Sequence, residues 1–119
     1  MEVKRAKRGV PTRLYETISA FANQTEGGVI VLGVDETQRF TLTGVENIQR
    51  SLTELTDLAS KMEPPISIDI QVIDVEYKSI IVAEVSECAF QNKPCYYKPA
   101  GMPSGSFLRV GNQSRRMTP

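Results

Sequence analysis

The chain has 119 residues, of which 40% are hydrophobic and 24% charged, as in an ordinary globular domain with a buried core. No apolar segment approaches the ~20 residues needed to cross a bilayer, and the basic N-terminus has no apolar segment of a secretory signal behind it, so a cytoplasmic protein is expected. With two cysteines and no histidine, a zinc site is not expected. Cys88 and Cys95 are interpreted as reduced thiols, with a disulfide as the alternative.

The formal net charge of zero conceals a segregation of charge along the chain. Both ends are basic, whereas the middle is acidic. The basic residues of the two ends are Lys4, Arg5, Lys7, Arg8, Arg13, Lys93, Lys98, Arg109, Arg115 and Arg116. This pattern has two interpretations: solvated termini, or a molecule whose basic side meets a polyanion. The second requires both ends to share one face.

The first half of the chain predicts a strand, a helix and two further strands. Residues 1–6 indicate a short strand, and Pro11 suits the first turn of a helix. Leu14, Ile18, Phe21 and Ala22 fall on one stripe of that helix. The apolar run at 29–34 predicts a central strand covered on both faces, and residues 39–45 predict its antiparallel neighbour.

The second half predicts another helix and three strands. A helix is predicted from Glu46 to Met62, with an apolar stripe formed by Ile48, Leu52, Leu55, Ala59 and Met62. Residues 66–72 alternate as in a half-buried strand, and the slip at Ile73 indicates a bulge or a turn. Residues 80–85 return as a hairpin, and 106–111 form a last strand before a basic tail. The order βαββαβββ predicts one α+β domain over residues 1–119, with a mixed, mostly antiparallel sheet and two main helices.

Gly27 and Gly28 stand between the first helix and the strand that follows. A phosphate-binding loop requires GxxxxGK[ST] or a strand–glycine–helix order, and this chain has neither. The helix C-terminus is also the wrong pole for an anion. Both glycines are therefore interpreted as structural turn residues.

Glu2, Lys4 and Asp35 are candidates for a site at one end of the sheet. If their strands are neighbours, two carboxylates and a lysine could bind a divalent ion and cleave a phosphodiester. The alternative is that Asp35 only caps a turn and that the ExK spacing is fortuitous.

Several strings of the sequence together resemble the Schlafen/AlbA-type domain (AlbA_2, formerly divergent AAA). They are "EVK", "ETISAFANQTEGGVIVLGVDE", "TLTGV", "EPPI", "KPCYYKPAG" and "SFLRVGNQS", in family order over nearly the whole chain. The resemblance implies a DNA-binding domain of bacterial transcriptional regulators and helicase-related proteins, excised here from a longer chain with further domains. Some members carry an ATP-binding label, which the missing P-loop does not support.

Schlafen relatives also cleave RNA with an acidic cluster, and this implies a second function. Glu2 and Asp35 match two of its three acids, whereas the third has no counterpart because the sequence begins one residue before Glu2. No catalytic residue or cofactor is therefore predicted. A Mg²⁺- or Mn²⁺-dependent nuclease using Glu2, Lys4 and Asp35 is the alternative.

The first hypothesis is thus a nucleic-acid-binding module, with DNA favoured over RNA. Its predicted phosphate contacts are Lys4, Arg5, Lys7, Arg8, Arg13, Lys98, Arg109, Arg115 and Arg116. Tyr96, Tyr97 and Phe107 are either base-stacking residues or core anchors. A protein-interaction module and a homodimer stay open.

Overall fold

The computed structural model describes residues 1–117. Its strands are β1 (Glu2–Lys4), β2 (Gly28–Leu32), β3 (Val34–Asp35), β4 (Thr41–Leu42), β5 (Met62–Glu63), β6 (Ile68–Val75), β7 (Lys78–Val85), β8 (Tyr96–Tyr97), β9 (Phe107–Val110) and β10 (Gln113–Arg116). Its α-helices are α1 (Tyr15–Ala22), α2 (Ile48–Ser60) and α3 (Gly101–Gly105). Short 3₁₀ turns span Thr12–Leu14, Glu36–Gln38, Phe90–Asn92 and Lys98–Ala100. The predicted α+β class is confirmed.

A four-stranded sheet in the order β1-β2-β7-β6 forms the centre of the fold. β1 runs parallel to β2, and the other neighbours are antiparallel. Alternate residues of β2 and β7, such as Ile30, Leu32 and Ile81, are fully buried beneath α1 and α2. Val29 and Val31 point to the opposite face and are only half-buried. The prediction of a strand covered on both faces is therefore wrong, because the helices form a single layer.

The two main helices form as their apolar stripes predict. Leu14, Ile18 and Phe21 are almost completely buried against the sheet. Asn47 caps α2, because its side-chain oxygen accepts a hydrogen bond from the Arg50 N–H at 3.0 Å. No helix within residues 1–117 is long and apolar enough to cross a membrane.

The predicted strand at 29–34 is interrupted at Gly33, where φ is +103°. The chain leaves the main sheet there, and β3 pairs with β4 in a separate two-stranded ladder. The segment 39–45 therefore pairs antiparallel only with the end of the predicted strand, at Val34↔Leu42, and the prediction that it neighbours the whole strand is wrong. A left-handed backbone that only glycine adopts easily has redirected the chain.

β6 and β7 form a regular hairpin with β6 at the edge of the sheet. Their pairing is continuous from Ile68↔Val85 to Val75↔Lys78, so the bulge predicted at Ile73 is absent from this hairpin. Val72 and Ile73, which point to opposite faces of the strand, are both exposed.

The predicted last strand is β9, and the basic tail forms a second strand, β10, that the sequence did not indicate. The two strands pair antiparallel from Phe107↔Arg116 to Val110↔Gln113. Their hairpin packs along α1.

Gly27 and Gly28 connect α1 to β2 in a confined space. Gly27 has a φ of +69°, in the left-handed region. A Cβ atom on Gly28 would overlap the ring of Phe21, which is fully buried in the core. This close approach lets β2 enter the sheet directly beneath the helix.

We expect Gly28→Val to destabilise the fold by about 2 kcal/mol or more, because an inserted side chain would displace Phe21 in a packed core. Thermal unfolding measures the effect. Gly111→Asn is the matched control, since Gly111 has no atoms near its Cβ position and asparagine tolerates its φ of +62°. A Gly28→Val melting temperature no lower than that of the control would contradict the expectation.

Candidate nucleic-acid interface

Asn23, directly after α1, is buried and joins three parts of the chain. Its amide nitrogen donates to the carbonyl oxygens of Cys95 and Phe107, each at 3.0 Å. Its side-chain oxygen accepts the N–H of Cys95 at 2.7 Å. The residue before β8 and the first residue of β9 are thereby attached to the end of α1.

Ser19 repeats this function one turn earlier on the same helix. Its hydroxyl donates to the Cys95 carbonyl at 2.7 Å and accepts the Phe107 N–H at 3.0 Å. Because these backbone groups are buried, each would be costly to leave without a partner. Together with Asn23, Ser19 fixes the β9–β10 hairpin along α1.

The hairpin places the side chain of Arg109, only 6% exposed, over the Phe21 ring at 5.1 Å. Its guanidinium donates to a Glu2 carboxylate oxygen at 2.8 Å, to the Met1 carbonyl at 3.2 Å and to the Ser114 hydroxyl at 3.2 Å. Nε has no partner within residues 1–117. Arg109 therefore ties the C-terminal hairpin to the first strand.

Glu2 is held by two cations. Its second carboxylate oxygen lies 3.2 Å from the Lys4 ammonium, while Arg109 occupies the first. Both charges of the ExK string thus belong to one ion-pair network.

Two clefts adjoin this network and share Lys4 and Pro11 as lining residues. The first, of about 490 Å³, lies between β1, α1 and the β9–β10 hairpin. The second, of about 860 Å³, follows residues 4–11 and the side of α2. The charged residues lining the two are Lys4, Arg5, Lys7, Arg8, Arg13, Arg50 and Arg109, with Glu2, Glu16 and Glu54. This surface, with seven basic and three acidic side chains, is called the basic concavity below.

The basic concavity contains six of the nine phosphate contacts predicted from the sequence. The other three are elsewhere: Lys98 lies 3.7 Å from the Glu63 carboxylate, and Arg115 and Arg116 are exposed on β10. Arg50 was missed, because its position on the polar face of a helix gives no sign of what lies opposite. Glu54, one turn further along α2, accepts the Val10 N–H at 3.0 Å and brings that helix face to the basic segment.

Asp35 has contacts of its own and, among residues 1–117, shares no partner with Glu2. Its carboxylate accepts the Thr37 hydroxyl at 2.6 Å and the Thr37 N–H at 3.0 Å, and Arg5 lies 3.9 Å away. The Thr37 hydroxyl, followed by the Thr37 N–H and Arg5, lowers the pKa of Asp35, although burial opposes the shift. Asp35 thus caps a turn.

These contacts do not fit a divalent metal site. Residues 1–117 contain no group of three or more carboxylate or cysteine side chains that could hold a metal ion. Glu2 is already neutralised by Arg109 and Lys4, and Asp35 is engaged by its own turn. The two acids are therefore not brought together as ligands.

The aromatic residues near the C-terminus belong to the core, so the base-stacking interpretation is wrong for two of them. Tyr97 and Phe107 are buried, and Tyr97 stacks on Tyr15 with ring centroids 4.1 Å apart. Phe107 meets Tyr15 edge-on. Tyr96 is half-buried.

Both cysteines are free thiols. Burial, together with the neighbouring Cys88, raises the pKa of the Cys95 thiol to about 12. Cys95 is therefore a protonated core residue at neutral pH.

The chain matches one protein-family model and is similar to solved structures of other proteins. A family model described as "Schlafen, AlbA_2" matches residues 1–118. None of the curated proteins matches the chain. The solution structure of the N-terminal domain of a Nitrosomonas europaea protein, described as related to the ATP-dependent DNA helicase RecG, is similar with a TM-score of 0.69 and 28% identity, covering 98% of this chain and 82% of that one.

A crystal structure of a Corynebacterium diphtheriae protein is also similar, with a TM-score of 0.69 over 98% of this chain. At 17% identity, this likeness shows the fold alone. This chain spans 21% of the length of that protein.

We expect Asn23→Leu to lower the free energy of unfolding by about 3 kcal/mol or more, because the buried Cys95 N–H and Phe107 carbonyl lose their Asn23 partner, while the Cys95 carbonyl keeps only the Ser19 hydroxyl. Urea denaturation measures the change. Asn47→Ala is the control: it removes one exposed capping hydrogen bond and should cost about 1 kcal/mol. If both variants lose the same stability, the attachment of the hairpin does not depend on Asn23.

Proposed function

Because the chain belongs to the Schlafen AlbA_2 family, we propose that it is a nucleic-acid-binding domain that holds the phosphate backbone in the basic concavity. DNA is the proposed partner rather than RNA. The proposed setting is a cytoplasmic transcriptional regulator or helicase-related protein. The relation of one similar structure to a DNA helicase supports this choice.

The observation that carries the proposal is the convergence of basic residues from distant parts of the sequence. The segment 4–13 supplies five, α2 supplies Arg50 and the C-terminal hairpin supplies Arg109. A chain with no net charge thus presents a concave surface suited to a polyanion.

Lys7 and Arg8 are the side chains best placed to bind phosphate. Both are exposed, and neither forms an ion pair within residues 1–117. The other basic side chains of the concavity each lie within 4 Å of a carboxylate, at distances such as 3.9 Å for Arg5 and 3.7 Å for Arg50. The exposed pairs, such as those of Arg5 and Arg50, are weak, so phosphate can compete for these cations. Arg109, whose side chain is only 6% exposed, stays paired with Glu2.

The binding of phosphates by this surface gives affinity without base discrimination, since phosphates carry no sequence information. The proposed dissociation constants are ~10⁻⁴ to 10⁻⁶ M at physiological salt. Affinity falls steeply as salt rises, because binding releases counterions from the nucleic acid.

We expect Lys7→Ala/Arg8→Ala to weaken binding to duplex DNA and to reduce the slope of log K against log salt by about 2, or about 1 for each phosphate that is no longer neutralised. Fluorescence anisotropy at several salt concentrations measures both. The control is Lys93→Ala/Lys98→Ala, which removes the same charge at residues that line neither cleft and are paired with Glu87 and Glu63.

Equal effects from the two double variants would indicate that net charge rather than the basic concavity determines binding. Absence of binding by the wild-type chain at low salt would refute the proposed function itself.

We expect no Mn²⁺-dependent cleavage of RNA or single-stranded DNA by this chain, because Glu2 and Asp35 have separate partners and do not form a ligand set. Labelled RNA is incubated with wild type and with Asp35→Ala, with and without EDTA. Cleavage that requires metal and is abolished in the variant would overturn the binding proposal and make both acids catalytic.

A further inference from the structure

The turn between β3 and β4 carries an exposed aromatic residue, Phe40. Phe40 ends this turn with a φ of 58°, after Arg39 with a φ of 54°. The residue is 56% exposed. A bulky residue is unfavourable in the left-handed region, where glycine or asparagine is ordinarily found. The turn therefore keeps an aromatic ring in solvent although the backbone disfavours it, and strain of this kind is found at ligand-binding sites.

Three contacts fasten the β3–β4 ladder and the residues after it to the basic segment. The Arg5 guanidinium lies 3.9 Å from the Asp35 carboxylate, and Asp35 is paired with Thr41, the residue after Phe40. The Thr43 hydroxyl donates to the Arg5 carbonyl at 3.4 Å. The Glu46 N–H donates to the Lys7 carbonyl at 3.0 Å. The ladder that carries the Phe40 turn is thus attached to the segment that carries Arg5 and Lys7.

The other exposed aromatics have different surroundings. Phe90 is 87% exposed, but the nearby Lys93 is neutralised by Glu87 at 2.7 Å. Tyr77, at the tip of the β6–β7 hairpin, also has a left-handed backbone, with a φ of 67°, so the backbone conformation does not by itself distinguish Phe40. Tyr77 lies between Glu76 and Lys78, and the Lys78 ammonium donates to the Leu42 carbonyl at 2.9 Å, on the strand that follows Phe40. A cation whose charge is available for phosphate therefore lies near Phe40 and not near Phe90.

We infer that Phe40 stacks on an unpaired base of a single-stranded nucleic acid whose phosphates lie along Arg5 and Lys7. The inference rests on the proposed function and adds a preference to it. Aromatic rings beside a basic groove bind single strands because every base has a face to stack, whereas the bases of a duplex are already stacked on one another. The shared ligand chemistry is an unpaired nucleotide, from DNA or from RNA.

The test compares the binding of fluorescent oligo(dT), oligo(U) and a DNA duplex at low salt. Phe40→Leu should weaken single-strand binding by about fivefold or more, the low end for the loss of one stacked base, and leave duplex binding unchanged. Phe40→Trp should retain single-strand affinity. Phe90→Leu is the matched control, an equally conservative change at an exposed phenylalanine, and should have no effect. Loss of affinity for only one of the two oligonucleotides would assign the stacked base to that nucleic acid.

A third variant separates binding from folding. Phe40→Gly relieves the left-handed backbone, so its melting temperature should not fall below that of the wild type while its single-strand affinity falls as in Phe40→Leu. A purely structural function of Phe40 would instead make stability and affinity fall together.

The stacking inference alone is overturned if Lys7→Ala/Arg8→Ala weakens single-strand binding but Phe40→Leu does not. Equal losses for single strand and duplex, or equal losses in the Phe90 control, overturn it as well. If the wild-type chain binds neither form, the proposed function fails and the inference fails with it.

Discussion

The position of the C-terminal half of the site depends on two polar side chains inside the protein. Ser19 and Asn23 bind backbone groups of Cys95 and Phe107, residues more than 70 positions further along the chain. Buried backbone groups must find partners, and no strand or helix supplies them here. Two side chains on one helix face therefore act as a template for segments that have little regular structure of their own.

The ion-pair network of Arg109, Glu2 and Lys4 depends on the contacts of Ser19 and Asn23. With β9 fixed on α1, Arg109 lies over Phe21 and reaches Glu2 on the first strand. A buried guanidinium is costly unless its donors are satisfied, and Glu2, Met1 and Ser114 satisfy most of them. The ion pair thereby fixes the position of β9 relative to β1. The two clefts that share Lys4 lie on the surface beside this ion pair.

What could be predicted from the sequence was the local part of the structure. The apolar periods of α1, α2 and the β6–β7 hairpin each depend on neighbours within a few residues, so the class of fold and these elements were predicted. The function of Asn23 was not, because its partners are remote in sequence and an asparagine after a helix ordinarily serves as a cap. Arg50 was missed for the same reason. The strand β10 was missed although its partner β9 is adjacent in sequence, because its residues Gln113–Arg116 are all polar and show no apolar alternation. Tyr97 and Phe107 were ambiguous, since an aromatic residue close in sequence to a lysine or an arginine suits both a core and a binding surface.

The exposed edge of the sheet has a consequence for how copies of the chain meet. β6 carries Asp69 and Asp74 at positions symmetric about its middle, between Gln71 and Val72. If two β6 strands paired antiparallel about that point, Asp69 of one copy would stand opposite Asp74 of the other. Like charges directly opposed destabilise a strand pair. The aspartates thus discourage the sheet from growing by the addition of further copies at this centred register, a safeguard against fibril formation.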